Sequence, residues 1–221
     1  MSTLSQIDSP YRKHSEDRIV QGDILRDVTF IEWELNEENP RQSPVFDKTL
    51  PYILILTQDC DLEQDFKNRC DIENSNEDEE KHDKFLQSIL VCPAYNAEQF
   101  KKGEHLEDFG LKMEAYKDRK RWNDIKGNNN ARYHFLEKSS HEYENPDLAK
   151  ISREYQIPDL VLDFKHYYTI PRNVLYTIYK KHYIASLNEL FRESLSQRFS
   201  YYLSRIGLPK IAPSDSCEVD K

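Results

Sequence analysis

A cysteine between two carboxylates, with a histidine elsewhere to activate it, is the raw material of nucleophilic chemistry. The segment Thr57-Gln58-Asp59-Cys60-Asp61-Leu62 supplies the first part. A thiol attacks as its thiolate and therefore needs a base. His134, in Arg132-Tyr-His-Phe-Leu136, is the candidate base, and Asp61 or Asp59 could orient its imidazole. The set describes a thiol-dependent hydrolase with Cys60 as nucleophile, His134 as base and Asp61 as orienter. The plainer alternative makes Cys60 a packed thiol, with Asp59 and Asp61 capping the loop that leaves a strand. Cys60, Asp61, His134 and Cys92 are also zinc-type donors, but no two stand at the close paired spacing of a structural site. No metal and no cofactor is expected.

A second candidate lies between residues 112 and 132. Seven bases (Lys112, Lys117, Arg119, Lys120, Arg121, Lys126, Arg132) face three acids (Glu114, Asp118, Asp124), a local net charge of +4 beside Trp122. Cations around an aromatic ring suit phosphates and unstacked bases. The ordinary alternative is a solvated helix face, or a patch that pairs with acidic residues of this chain or of a second copy. Gln58, Asp59, Arg132, Lys117, Arg119, Lys120, Arg121 and Trp122 are thus the candidate binding residues, with a protein or RNA as partner.

Other chemistries have little to build on. With five glycines in 221 residues and no Gly-rich phosphate loop, zincin or nucleophile-elbow motif, the common nucleotide-dependent and hydrolase signatures are missing. Forty acids against 31 bases leave a net charge of −9, which repels nucleic acid and anionic membranes at long range. Screening within about 10 Å lets a local basic patch act against that mean field. Met1–Arg12 is polar, and the longest apolar run, Tyr52–Leu56, is far too short to cross a bilayer. The expectation is a cytoplasmic protein without a membrane partner, in which four unpaired cysteines stay reduced.

Residues 1–17 read as a flexible lead-in, 18–210 as one domain, and 211–221 as a loose tail. A turn at Gly22-Asp23 precedes a strand near 24–34. Tyr52–Thr57, with no polar alternation, reads as a strand buried on both faces. Residues 63–84 read as an acidic, solvated loop, and Phe85–Pro93 as a second buried strand. Residues 96–128 read as a helical insertion, Ala97–Lys102 and then Leu111–Ile125. Ala131–Leu136, Pro158–Phe164, Tyr167–Ile170 and Tyr183–Ser186 read as extended, and Val174–Tyr179 fits helix or strand. A C-terminal amphipathic helix is expected over 186–206, opened by a Ser186/Glu189 capping box, with Phe191, Leu195, Phe199, Tyr202, Leu203 and Ile206 on one face.

Gln21-Gly-Asp-Ile-Leu25, Leu50-Pro-Tyr-Ile-Leu-Ile-Leu-Thr57 and Ser88-Ile-Leu-Val-Cys-Pro-Ala94 follow one another as in the first half of the PemK/MazF-like toxins, which this part of the chain resembles. The resemblance implies an α+β fold built on a mostly antiparallel, SH3-like barrel. It also implies a bacterial toxin–antitoxin or phage-defence setting, and RNA as a partner or substrate. Where that family has Arg-Pro ahead of its apolar strand, this chain has Leu50-Pro51, so the arginine associated with RNA cleavage is missing. The Arg132–Leu136 segment and Arg198-Phe-Ser-Tyr-Tyr-Leu-Ser-Arg-Ile-Gly-Leu-Pro209 are similar to pieces of bacterial proteins carrying a Gln-x-Cys-Asp-Leu segment. The leading expectation is a regulatory or defence component that binds RNA or a protein, as monomer or homodimer. The thiol hydrolase and a MazF-like endoribonuclease with displaced catalytic groups are the alternatives.

Overall fold

The computed structural model describes residues 10–33, 37–42, 44–74, 82–138 and 157–205. Its centre is β3 (Val45–Ile55), where the continuous apolar run sends side chains to both faces of a sheet. Ile53 and Ile55 enter one core, while Leu54 and the following Leu56 enter the other. Each fully buried aliphatic side chain contributes about 2 kcal/mol, so this strand anchors both layers.

Among the described residues eight strands form one curled antiparallel half-barrel. They are β1 (Tyr11–Arg12), β2 (Asp23–Trp33), β3, β4 (Ser88–Asn96), β5 (Tyr133–Leu136), β6 (Leu160–Asp163), β7 (Tyr168–Pro171) and β8 (Tyr183–Leu187). The order is β1-β8-β2-β3-β4-β6-β5, and β7 also pairs with β4. The sheet divides along β4, whose first half (Ser88–Val91) pairs with β7 and whose last residues (Ala94–Asn96) pair with β6. The β2–β8 register shifts at Ile24/Leu25, a local irregularity of the kind that bends a strand. Gly22 takes φ +86° at the turn into β2, and a Cβ there would stand 3.2 Å from that of Leu187.

Among the described residues five helices accompany the sheet: α1 (Asp59–Asn74), α2 (Ala97–Lys102), α3 (Arg119–Lys126), α4 (Arg172–His182) and α5 (Glu189–Leu203). The first core layer joins Leu25, Ile53 and Val91 with Phe100 of α2, Trp122 and Ile125 of α3, and Leu175 of α4. The second joins Leu54, Cys92, Leu160, Leu162 and Phe164 with Leu195 and Phe199 of α5. Among the described residues no helix is long and apolar enough to cross a membrane.

Several expectations change. The acidic stretch is not a loop at its start, because helix α1 runs from Asp59 to Asn74. Residues 111–118 are irregular rather than helical. Tyr116 donates its backbone N–H to Lys101 O, which lays this segment along the end of α2, and helix resumes only where Asp118 caps Arg121 N at 2.7 Å. Val174–Tyr179 is helical, within α4. Ser186 lies in β8 and Asn188 occupies the N-cap position of α5 with no side-chain cap bond to the first turn, so the capping box does not form. Ser186 instead donates to Asp23 at 2.5 Å. Leu195 and Phe199 of α5 are buried, whereas Leu203 is exposed. Ile206, Gly207, Pro209 and the tail 211–221 lie outside the described residues.

The end of the lead-in is tied down rather than loose. Tyr11 and Arg12 extend the sheet along β8. Beyond them, His14 Nε2 lies 3.1 Å from Asp23 Oδ1. The fully buried Asp23 also accepts bonds from Val20 N and from Tyr179 Oη at 2.7 Å each.

Candidate functional site

The proposed Cys60–His134–Asp61 set is not assembled. Cys60 is exposed in the first turn of α1, and its thiol neighbours belong to its own turn: Gln58 Oε1 at 3.7 Å and Asp61 Oδ1 at 3.6 Å. His134 stands on β5 opposite Leu162 and is 2% exposed, with its ring beside Phe164. Its Nδ1 is buried without a hydrogen-bond partner. Burial first, and then the nearby charge of Arg198, push its pKa down to about 3. A neutral imidazole sealed between strand and helix has no route to an exposed thiol. The packed-thiol alternative fails as well at Cys60, though it holds for fully buried Cys92. No group of three or more metal-ligating side chains occurs among the described residues.

Asp59 does more than cap a helix. Arg18 grips its carboxylate with Nη1 on Oδ1 at 2.9 Å and Nη2 on Oδ2 at 3.3 Å. Gln21 N adds a bond at 3.3 Å and Arg192 stands 3.7 Å away. Burial opposes ionisation here, but the bond and charge of Arg18 outweigh it and hold the carboxyl below its ordinary range. Gln58 accepts backbone bonds from Asp61 and Leu62 through its carbonyl, and so starts the helix.

The basic segment divides by exposure. Lys112, Lys117, Arg119, Lys120 and Lys126 are exposed, and Arg121 is exposed but paired to Glu114 at 2.7 Å. Trp122 is not a stacking platform. It is 8% exposed, edge-on to Phe135, with Lys101 over its ring at 5.6 Å. An indole at helical spacing with Ile125 packs inward, because the α3 face it occupies covers the sheet.

Arg132 belongs to a cluster that the sequence reading missed. Its guanidinium is forked onto buried Asp163, Nε to Oδ1 at 2.7 Å and Nη2 to Oδ2 at 2.5 Å, and lies over the Tyr133 ring. That carboxylate raises the Arg132 pKa against the opposing effect of burial. Among the described residues Nη1 of Arg132 makes no hydrogen bond. His166, three residues after Asp163 across a 3-10 turn, places Nε2 3.6 Å from the carboxylate and Nδ1 3.2 Å from Tyr95 Oη. Burial is the main reason its pKa is lowered. His105 packs on Tyr95 and Phe100 at 4.7 and 4.4 Å with neither ring nitrogen bonded. Burial, reinforced by His166, pushes its pKa down to about 4. The Asp-x-x-His spacing at 163–166 was the available signal, but its other partners lie more than 30 residues away in sequence.

Arg132, His166 and exposed Lys165 bring a fixed cation, an imidazole and an ammonium to the neighbourhood of Asp163. Such a group suits an anionic oxygen, the guanidinium being preorganised by the carboxylate behind it. No family model, curated protein or solved structure matches this chain.

Proposed function

We propose that the protein binds RNA, with the exposed cations of residues 112–126 tracking the backbone and Arg132, beside His166, holding one phosphate. The setting is the bacterial regulatory or defence role implied by the resemblance to PemK/MazF-like toxins. The observation that carries this reading is the Arg132–Asp163 fork, which aims one guanidinium edge inward and leaves the other for a ligand. An acidic protein with a segment of net charge +4 that includes such an arginine has a local attraction which its mean field lacks.

Anisotropy titration of a labelled single-stranded RNA 20-mer tests the reading. Binding in the range of about 10⁻⁶ to 10⁻⁴ M is expected, weakening steeply with salt. Charge reversal in Arg119→Glu/Lys120→Glu weakens it about tenfold or more at low salt, since exposed phosphate contacts dominate affinity. No binding in low salt, or binding indifferent to that double reversal, refutes the proposal. Retention of a protein and no RNA from host lysate would assign the face to a protein partner.

A second reading, metal-independent RNA cleavage with displaced catalytic groups, gains one observation: His166 sits beside Arg132 with its pKa lowered. Incubation with long RNA in chelator, comparing His166→Ala, tests it. The thiol-hydrolase reading has lost its base.

A further inference from the structure

The side chains of residues 112–132 separate by chemistry. Two of the three acids are engaged: Glu114 pairs with Arg121 at 2.7 Å, and Asp118 caps α3 by accepting Arg121 N at 2.7 Å. Lys112, Lys117, Arg119, Lys120 and Lys126 are exposed. Arg119 and Lys126 share one stripe of α3 with exposed Asn123 and stand seven residues apart, about 10 Å along the axis. A folded helix thus holds these cations at fixed separations.

The rings of the same region are enclosed. Tyr116, Trp122 and Tyr133 are 7%, 8% and 6% exposed. Tyr116 stacks on Phe100 at 5.5 Å, with the Arg121 guanidinium over its ring at 5.3 Å. Trp122 stands edge-on to Phe135, with Lys101 over its ring. Tyr133 makes T-shaped contacts with Phe100 and Tyr116 and carries Arg132 over its face at 5.0 Å. The Tyr116 and Tyr133 hydroxyls meet at 2.6 Å. Among the described residues the exposed Phe and Tyr rings are Phe46, Tyr167 and Tyr201, on β3, after the 3-10 turn that follows β6, and on α5.

Binding of an unpaired strand combines cations along the backbone with rings on which bases stack. This face supplies the first and encloses the second. Phosphate contacts alone favour the form of nucleic acid that presents phosphates most densely. Double-stranded DNA carries about one charge per 1.7 Å of axis, against about 3.4 Å for each strand. It also releases about 0.9 counterions per neutralised phosphate, against about 0.7 for single strands. Paired RNA shares that two-strand advantage. Its phosphates are preorganised as well, whereas a flexible strand loses freedom when held along a fixed row of cations. Contacts to phosphates and 2′-hydroxyls, with the bases unread, are how proteins hold duplex RNA.

We infer that the RNA bound by this face is base-paired, held through its phosphates by Arg119, Lys120, Lys126 and Arg132, with no base read. The inference rests on the RNA-binding proposal and narrows it to one ligand class.

Competition anisotropy at about 0.1 M salt tests it, since screening there limits the reach of the −9 net charge to about 10 Å. A blunt RNA duplex of about 20 base pairs should bind at least about fivefold tighter than an unstructured oligouridine of equal length, beyond the factor of about two that a second strand gives by statistics. Duplexes of scrambled sequence should agree within about threefold, and Arg119→Glu/Lys120→Glu should weaken the duplex about tenfold or more. A smaller advantage over oligouridine, or a wider spread among duplex sequences, overturns the inference and leaves RNA binding standing. Duplex binding that ignores the double reversal overturns it by placing the duplex on another face. If neither RNA binds, the inference and the RNA-binding proposal fall together.

Discussion

Arg132 and Asp163 meet in a two-pronged ion pair of 2.7 and 2.5 Å, in which the carboxylate is 1% exposed and the guanidinium 31%. The asymmetry sets what each mutation does. Asp163→Asn keeps the shape but leaves the cation facing a neutral amide. Breaking a buried pair costs about 3 to 5 kcal/mol, and the low end applies because Arg132 can rehydrate. Urea denaturation should show a loss of about 3 kcal/mol for Asp163→Asn, and Arg132→Ala, which strands the buried charge, should lose at least as much.

Acidification should destabilise the fold well above the carboxylate range. His134 has a folded pKa of about 3 against an ordinary 6.5, so between those values the unfolded chain binds the extra proton. Its contribution is complete above pH 6.5 and disappears as pH falls toward 3, reaching a loss of about 2 kcal/mol at pH 5. His105, lowered to about 4, acts in the same direction, more weakly because it is partly exposed. Asp59, held below its ordinary value, keeps its contribution above that value and loses it at lower pH. Chemical denaturation at pH 7 and pH 5 should reveal the slope, and His134→Leu should flatten it.

Cys60 should alkylate in the native protein at a rate that does not change in His134→Ala. Cys92 should stay unlabelled until the protein unfolds, since it is sealed in the second core and burial pushes its thiol pKa well up. Mass spectrometry after timed iodoacetamide exposure reads both. A slower Cys60 in His134→Ala would restore the hydrolase mechanism.

Asp23 ties the entry segment to α4 and β8 through His14, Val20, Tyr179 and Ser186. Asp23→Ala leaves several buried donors unmet, each costing about 1 to 3 kcal/mol. Hydrogen exchange should rise first across residues 10–20, with a fall in thermal midpoint. Tyr179→Phe should reproduce this with a loss of about 1 kcal/mol.

The fold was readable where burial alone decides structure. Tyr52–Leu56 is apolar without alternation because both faces of β3 are covered, and that pattern survives in one dimension. The same holds for Leu160, Leu162 and Phe164, which share the second core layer as their alternation requires. Helix α1 was unreadable for the opposite reason. A carboxylate counts as solvated until its partners are known, and the partners of Asp59 and Asp65 come from positions 18, 172 and 192. The candidate site divides in the same way. Arg132 stood out by type and neighbourhood, but Asp163, His166, Tyr95 and His105 gain meaning only when β4, β5 and β6 lie side by side.

The amino-acid sequence by itself therefore determined the doubly covered central strands, the turn at Gly22 and the charge of the 112–132 segment, because each depends on neighbours in the chain. Only the tertiary structure decided that His134 is sealed away from Cys60, that Trp122 faces the core, and that α1 is held by arginines. Those outcomes rest on pairings between residues far apart in sequence, where Coulomb attraction and burial act through space.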